Sequence, residues 1–287
     1  MKYLYFLLSF LFLTNFSYGQ KKDAYQLYNA KAKKVSFKKA FKKMQKSDII
    51  LFGEFHNNPI AHWLQYEVTK ELNEAGIPLV IGAEMFERDN QESLQQFMNG
   101  EITDEEFREK VRLWSNYTTD YEPLLLYAKS QNIPYVATNI PRRYASKVFK
   151  EGGFEALEKL TDEEKLWIAP LPVPFDIELP TYKNMLQMMG GEHANPDIVK
   201  AQAIKDATMA HFILKHLKES GIFLHLNGSY HSNFYEGIYW YLETYGNTHS
   251  IFTIATVEQE DISSLEDEYK GIADLIICIP ATMTKTY

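Results

Sequence analysis

The chain has 287 residues, of which 45% are hydrophobic and 24% charged, and it carries a net charge of −8 at neutral pH. That length suffices for one sizeable domain, and the acidic balance argues against nucleic acid as a partner. The sole cysteine, Cys278, sits in the apolar run LIICI, which suits a buried strand thiol and excludes an intramolecular disulfide.

Residues 1–19, MKYLYFLLSFLFLTNFSYG, set one lysine before an apolar run too short to span a membrane. This is the pattern of a signal peptide cleaved near Gly19–Gln20, so the protein is expected to be exported and periplasmic. No lipid-acceptor cysteine closes the segment. Residues 20–47 are basic, with Lys31, Lys33, Lys34, Lys38, Lys39, Lys42, Lys43 and Lys46. Val35, Phe37, Phe41 and Met44 recur there at helical spacing, which predicts a solvated amphipathic helix. A weak membrane-surface contact is the alternative.

In residues 48–59, DIILFGEFHNNP, four apolar residues follow Asp48, the pattern of a strand buried on both faces. The run stops at Gly53 and delivers Glu54 and His56 two residues apart, which points both side chains the same way in extended backbone. A helix is expected over 60–75, closed by Gly76, then a strand over 78–84. Helices over 90–99, 103–114 and 122–131 precede a strand over 134–139. A long helix over 197–220 leads to a strand over 222–227, the turn Gly228-Ser229-Tyr230-His231 and a helix over 234–244. Strands over 250–256 and 273–279 follow. Alternating helices and solidly apolar strands predict an α/β fold: a mostly parallel central sheet with helices on both faces, in a single domain over 48–287.

Ligands of such sheets bind beyond the carboxyl ends of the strands. Those ends carry Glu54 with His56, Glu84 with Glu87 and Arg88, Asn139 with Arg142 and Arg143, and Asn227 with His231. Asp206 lies in an apolar stripe of the 197–220 helix, where a carboxylate needs a partner. It either orients a histidine or pairs with Arg142 or Arg143. The cluster as a whole can serve catalysis or metal binding, or only knit the sheet edge together.

The blocks LFGEFHNNPIAHW, GAEMFERDNQ, ATNIPRRYASKV, KDATMA and LNGSYHSNFYEGI, with their two Gly-x-x-His segments, carry a family resemblance. In this order they resemble the ChaN-type haem-binding family of iron-regulated lipoproteins, within the superfamily of Tiki proteases, TraB proteins and erythromycin esterases. The resemblance implies an α/β fold, haem as cofactor, a role in haem or iron uptake, and a homodimer on haem loading with two haems stacked face to face. Haem needs an apolar slot, an axial ligand and cations for its propionates. The search positions are Tyr117, Tyr121, Tyr182 and His193 for the axial ligand, and Arg142 and Arg143 for the propionates. Met185, Met188 and Met189 lie at helical spacing and read as core packing. The haem slot is expected on a peripheral aromatic surface, apart from the strand-exit pocket.

The competing reading is a hydrolase of peptides or esters, since Tiki-type relatives hold a divalent metal through their GxxH motifs. Glu54, His56, Glu84 and His231 would then be the catalytic and metal-binding residues for a zinc- or manganese-like ion, with His62 and Asp206 supporting them. The haem-binding reading is preferred over the enzyme.

Overall fold

Successive residues of the central strands look to opposite sides of one sheet, and both sides are covered by helices. The computed structural model describes residues 22–191, 194–246 and 248–287. The strands are β1 (Gln26–Asn29), β2 (Ile49–Glu54), β3 (Leu79–Glu87), β4 (Tyr135–Asn139), β5 (Ile222–Gly228), β6 (Ile251–Gln259) and β7 (Leu275–Pro280). They form one sheet in the order β1-β7-β6-β2-β5-β3-β4. Every pairing is parallel except β1 with β7.

Ile50 and Phe52 of β2 join Ile81 of β3 and Leu224 of β5 in one core. Helices α1 (Phe37–Met44), α2 (Pro59–Glu74), α3 (Gln91–Met98), α4 (Asp104–Lys110) and α5 (Glu122–Ser130) contribute to that core. Ile49, Leu51, Val80 and Phe223 face the other way. There they meet α6 (Arg142–Lys150), α8 (Pro180–Met188), α9 (Asp197–His216) and α10 (Ile238–Thr244). The short α7 (Asp162–Lys165) lies between α6 and α8 in the chain. The fold is thus the expected α/β single domain, with continuous apolar strands because both faces are buried.

The turn after β2 shows how local chemistry places the site. The Asn58 side chain accepts hydrogen bonds from the Ile60 and Ala61 backbone N–H groups at 3.0 and 3.3 Å, capping α2, and Pro59 supplies its first turn. The helix ends where Gly76 takes a φ of +74°, a left-handed conformation that favours glycine.

Several elements depart from expectation. The helices expected over 103–114 and 197–220 end at Lys110 and His216, where Val111 and Leu217 turn extended. The 20–47 segment is helical only in α1; Gln26–Asn29 is a strand, held in register from Gln26↔Cys278 to Asn29↔Leu275. Its partner lies at the far end of the chain, so no local pattern announces it. The helix expected over 234–244 begins only at Ile238, because Phe234 and Tyr235 adopt left-handed φ values of 60° and 61°. The proposed signal peptide at 1–19 lies outside the described residues.

Candidate functional site

Glu54 closes β2 fully buried, and each of its oxygens is occupied. Oε1 accepts from His56 Nδ1 at 2.8 Å and from the Tyr121 hydroxyl at 2.7 Å. Oε2 accepts from Gln65 Nε2 at 2.5 Å and lies 3.4 Å from His62 Nδ1. Burial alone would raise the Glu54 carboxyl, but His62 and His56 beside it hold it below the usual range. Burial would lower His56, yet its bond to Glu54 and the charge of Glu84 push it up.

A second network stands on β3, β5 and α9. Glu84 Oε2 accepts from the Gly228 backbone N–H at 2.7 Å, and Oε1 lies 3.1 Å from His231 Nε2. His231 Nδ1 lies 2.5 Å from Asp206 Oδ1, and the Tyr182 hydroxyl donates to Asp206 Oδ2 at 3.4 Å. Against its burial, the two carboxylates push His231 up to about 10. Glu84 is held well below the carboxylate range by that imidazolium despite burial, while burial with Glu84 nearby leaves Asp206 raised. Asp206 therefore meets a histidine rather than Arg142 or Arg143. Arg143 pairs instead with Asp89 and lies over Trp167, and Arg142 makes no ion pair among the described residues.

Two glycines let the networks approach each other. A Cβ on Gly53 would stand 2.8 Å from the Ile254 carbonyl oxygen, and one on Gly228 would stand 2.8 Å from His56 Nε2. These are the glycines of the two GxxH segments. His56 thus lies against the Gly228 backbone with its Nδ1 bound to Glu54, and its ring meets Trp114 edge-on with centroids 4.7 Å apart.

A cavity of about 570 Å³ is lined by Glu54, His56, Gln202, Tyr230, His231 and Tyr287, among others. A second, of about 560 Å³, is lined by His56, Glu84, Trp114, Arg142, Lys205 and His231. Sharing His56, His231 and Tyr287, they form one cleft along the carboxyl edge of the sheet. A third cavity of about 370 Å³ is lined by Met185, Met188, Met189, Ile198, Ala201, Gln202, Lys205 and Tyr230. Gln202 and Tyr230 join it to the first, so the apolar surface adjoins the strand-exit pocket instead of lying apart from it.

The expected residues divide accordingly. Glu54, His56, Glu84 and His231 converge on the cleft, with His62 and Asp206 directly behind them. Tyr117, Tyr121 and Tyr182 do not line these cavities. All three are buried in the core, Tyr121 and Tyr182 with their hydroxyls on Glu54 and Asp206. The Tyr117 hydroxyl has no hydrogen-bond partner, and Arg108 lies over its ring. His193 lies outside the described residues. The methionine stripe is core only in part: Met185 packs against the second core, whereas Met188 and Met189 are 66% and 59% exposed. Gln202, which reaches His231 Nδ1 at 2.9 Å, was not singled out by the sequence, although it stands one helical turn before Asp206 on α9. Gln65, Lys205 and Tyr230 were missed likewise.

A profile described as "Haem-binding uptake, Tiki superfamily, ChaN" matches residues 40–242. The chain belongs to the ChaN family. The structure of ChaN from Campylobacter jejuni, solved for its cofacial haem binding, aligns over 88% of this chain and 96% of its own, with a TM-score of 0.62 and 18% identity. The erythromycin esterase mutant EreC H289N aligns over 91% of this chain and 98% of its own, with a TM-score of 0.52 and 10% identity. A Bacillus cereus protein aligns over 89% of this chain and 94% of its own, with a TM-score of 0.50 and 12% identity. No curated protein sequence matches this chain.

The residues present suit the family's haem. The third cavity supplies an apolar face, Lys205 and Arg142 supply cations, and His56 supplies a donor nitrogen whose partner nitrogen is already bound to a carboxylate. A divalent metal is less well served. Among the described residues no group of three or more His, Cys, Asp or Glu is arranged to hold a metal ion.

Proposed function

We propose that this chain is an exported haem-binding protein of haem and iron uptake. The α8 methionine surface, where it opens into the cleft, would hold the haem. The exposure of Met188 and Met189 side by side over an apolar hollow carries the reading, since a contiguous exposed apolar patch marks a ligand-binding groove or interaction site. Met185, Met188, Met189 and Ile198 would hold the apolar macrocycle, and Lys205 and Arg142 would pair with its propionates. His56, with its Nδ1 held by Glu54, would offer iron a donor nitrogen at Nε2, the ring edge that now packs on Gly228. Bound haem would supply the iron and an outer porphyrin face. With the surface open, a second haem held by another copy of the chain would be able to stack there, in the cofacial manner described for the Campylobacter relative.

The test is a haem titration of the chain beside the double variant Met188→Glu/Met189→Glu. The charged pair on the apolar face is expected to weaken haem binding at least about tenfold, by removing buried methionine contacts. Unchanged affinity would remove the methionine surface from the site. The alternative of a divalent-metal hydrolase of peptides or esters, centred on Glu54, His56, Glu84 and His231, has less support, because each carboxylate already serves an imidazole, amide or hydroxyl. Tightly bound stoichiometric zinc or manganese in untagged protein would restore it.

A further inference from the structure

The largest charge asymmetry of the molecule lies far from the cleft. Residues 31–46 hold eight lysines and no acidic residue, and subtracting those eight from the whole-chain charge of −8 leaves −16 on the remainder. All eight lysines are exposed. None is drawn into an ion pair among the described residues; the Lys34 charge helps hold the Asp261 carboxyl down. Such a concentration of one sign is unfavourable to folding in isolation and needs an external counter-charge to be useful.

The patch is rigidly presented. Ala40 and Met44 of α1 are buried, and Phe37 and Phe41 pack on the first core with ring centroids 6.0 Å apart. The apolar face is therefore committed to the protein, and what α1 offers outward is charge alone. Both ends of the patch sit at the amino edge of the sheet. The turn after β1 bonds there through the Gly271 N–H to the Ala30 carbonyl, just before β7 begins. The end of α1 leads to Asp48, which bonds Ser250 where β2 and β6 begin. The cleft lies at the opposite, carboxyl edge.

We infer that residues 31–46 dock the protein on an anionic phospholipid surface and hold the cleft turned away from it. All eight cations are lysines. A lysine is a point charge on a flexible stem, suited to a diffuse field of headgroups, whereas planar, bidentate recognition of a defined partner favours arginine. Clusters of four to eight basic residues are of the size that anionic lipid surfaces attract, at about 1 kcal/mol each. The contact is peripheral, for among the described residues no helix is long and apolar enough to cross a membrane. It does not depend on haem.

Cosedimentation of the full chain with phosphatidylcholine vesicles, with and without phosphatidylglycerol, tests this. Binding is expected only with the anionic lipid and is expected to vanish at high salt. The variant Lys38→Gln/Lys39→Gln/Lys42→Gln/Lys43→Gln should bind at least about a hundredfold more weakly. Lys31→Gln/Lys33→Gln/Lys34→Gln, which leaves α1 untouched, should weaken binding in the same direction. Equal binding to both vesicle types would assign the contact to the apolar residues 1–19 and overturn the inference. So would wild-type affinity in both variants, or tighter binding to an RNA homopolymer than to the anionic vesicles.

Discussion

His56 Nδ1 stands 2.8 Å from Glu54 Oε1, and the opposite edge of the same imidazole rests on the backbone of Gly228. One ring thus joins the two GxxH segments, with its tautomer set by a buried carboxylate that Tyr121, Gln65 and His62 also hold.

Replacing that carboxylate should disturb both stability and ligand binding. Glu54→Gln removes the negative charge that His56 and His62 face and is expected to destabilise the fold by about 2 kcal/mol, the scale of a hydrogen bond to a charged group. Urea unfolding at neutral pH measures it, and an unchanged midpoint would mean that the network adds nothing to stability.

Gly228→Ala should act on the ring directly. The new Cβ would stand 2.8 Å from His56 Nε2. The imidazole must move, at an expected loss of about 1–3 kcal/mol from overpacking. Haem affinity should fall along with stability. Gly246→Ala makes a useful contrast, because nothing stands within 4 Å of its Cβ and its φ of +80° gives backbone strain alone. It should lower stability without changing haem affinity.

Stability should also depend on pH through His231. Its folded value, about 10, is raised from an ordinary 6.5, so its contribution is complete below about 6.5 and is lost as pH rises toward 10. Glu84 is depressed from 4.5, so its share of the same interaction is present above 4.5 and lost in acid. Asp206 is raised from 3.8, so its ionisation opposes folding as pH climbs above that value. Thermal midpoints should therefore fall between pH 6.5 and 10 in the wild type, and His231→Gln should flatten that decline. A wild-type midpoint constant over this range would contradict the arrangement of charges.

Much of this arrangement is legible in the sequence. β2 announced itself through four apolar residues ending at a glycine, and the i, i+2 relation brought Glu54 and His56 together as the geometry of a strand requires. Asp206 could be singled out because a carboxylate in an apolar stripe must have a partner, but which partner depended on how α9 crosses the sheet. The tyrosines misled for the opposite reason. Tyr121 and Tyr182 are polar enough to suggest ligands, yet their helices turn them inward to cap buried carboxylates, and nothing in their local sequence reports that direction. Met188 and Met189 look like core at helical spacing and prove bare because α8 turns Tyr182, not its last methionines, into the second core. β1 depends on a partner about 250 residues away in sequence, a distance over which no periodicity carries information.

The most direct measurement is a haem titration followed by the Soret spectrum, with wild type and His56→Ala side by side. The wild type should saturate at one haem per chain with a nitrogen-ligated spectrum, and its mass in solution should double on loading. His56→Ala should lose that spectrum and bind at least about tenfold more weakly. A wild type that never saturates would contradict haem binding itself. A His56→Ala variant that keeps the wild-type affinity and spectrum would remove His56 from the iron.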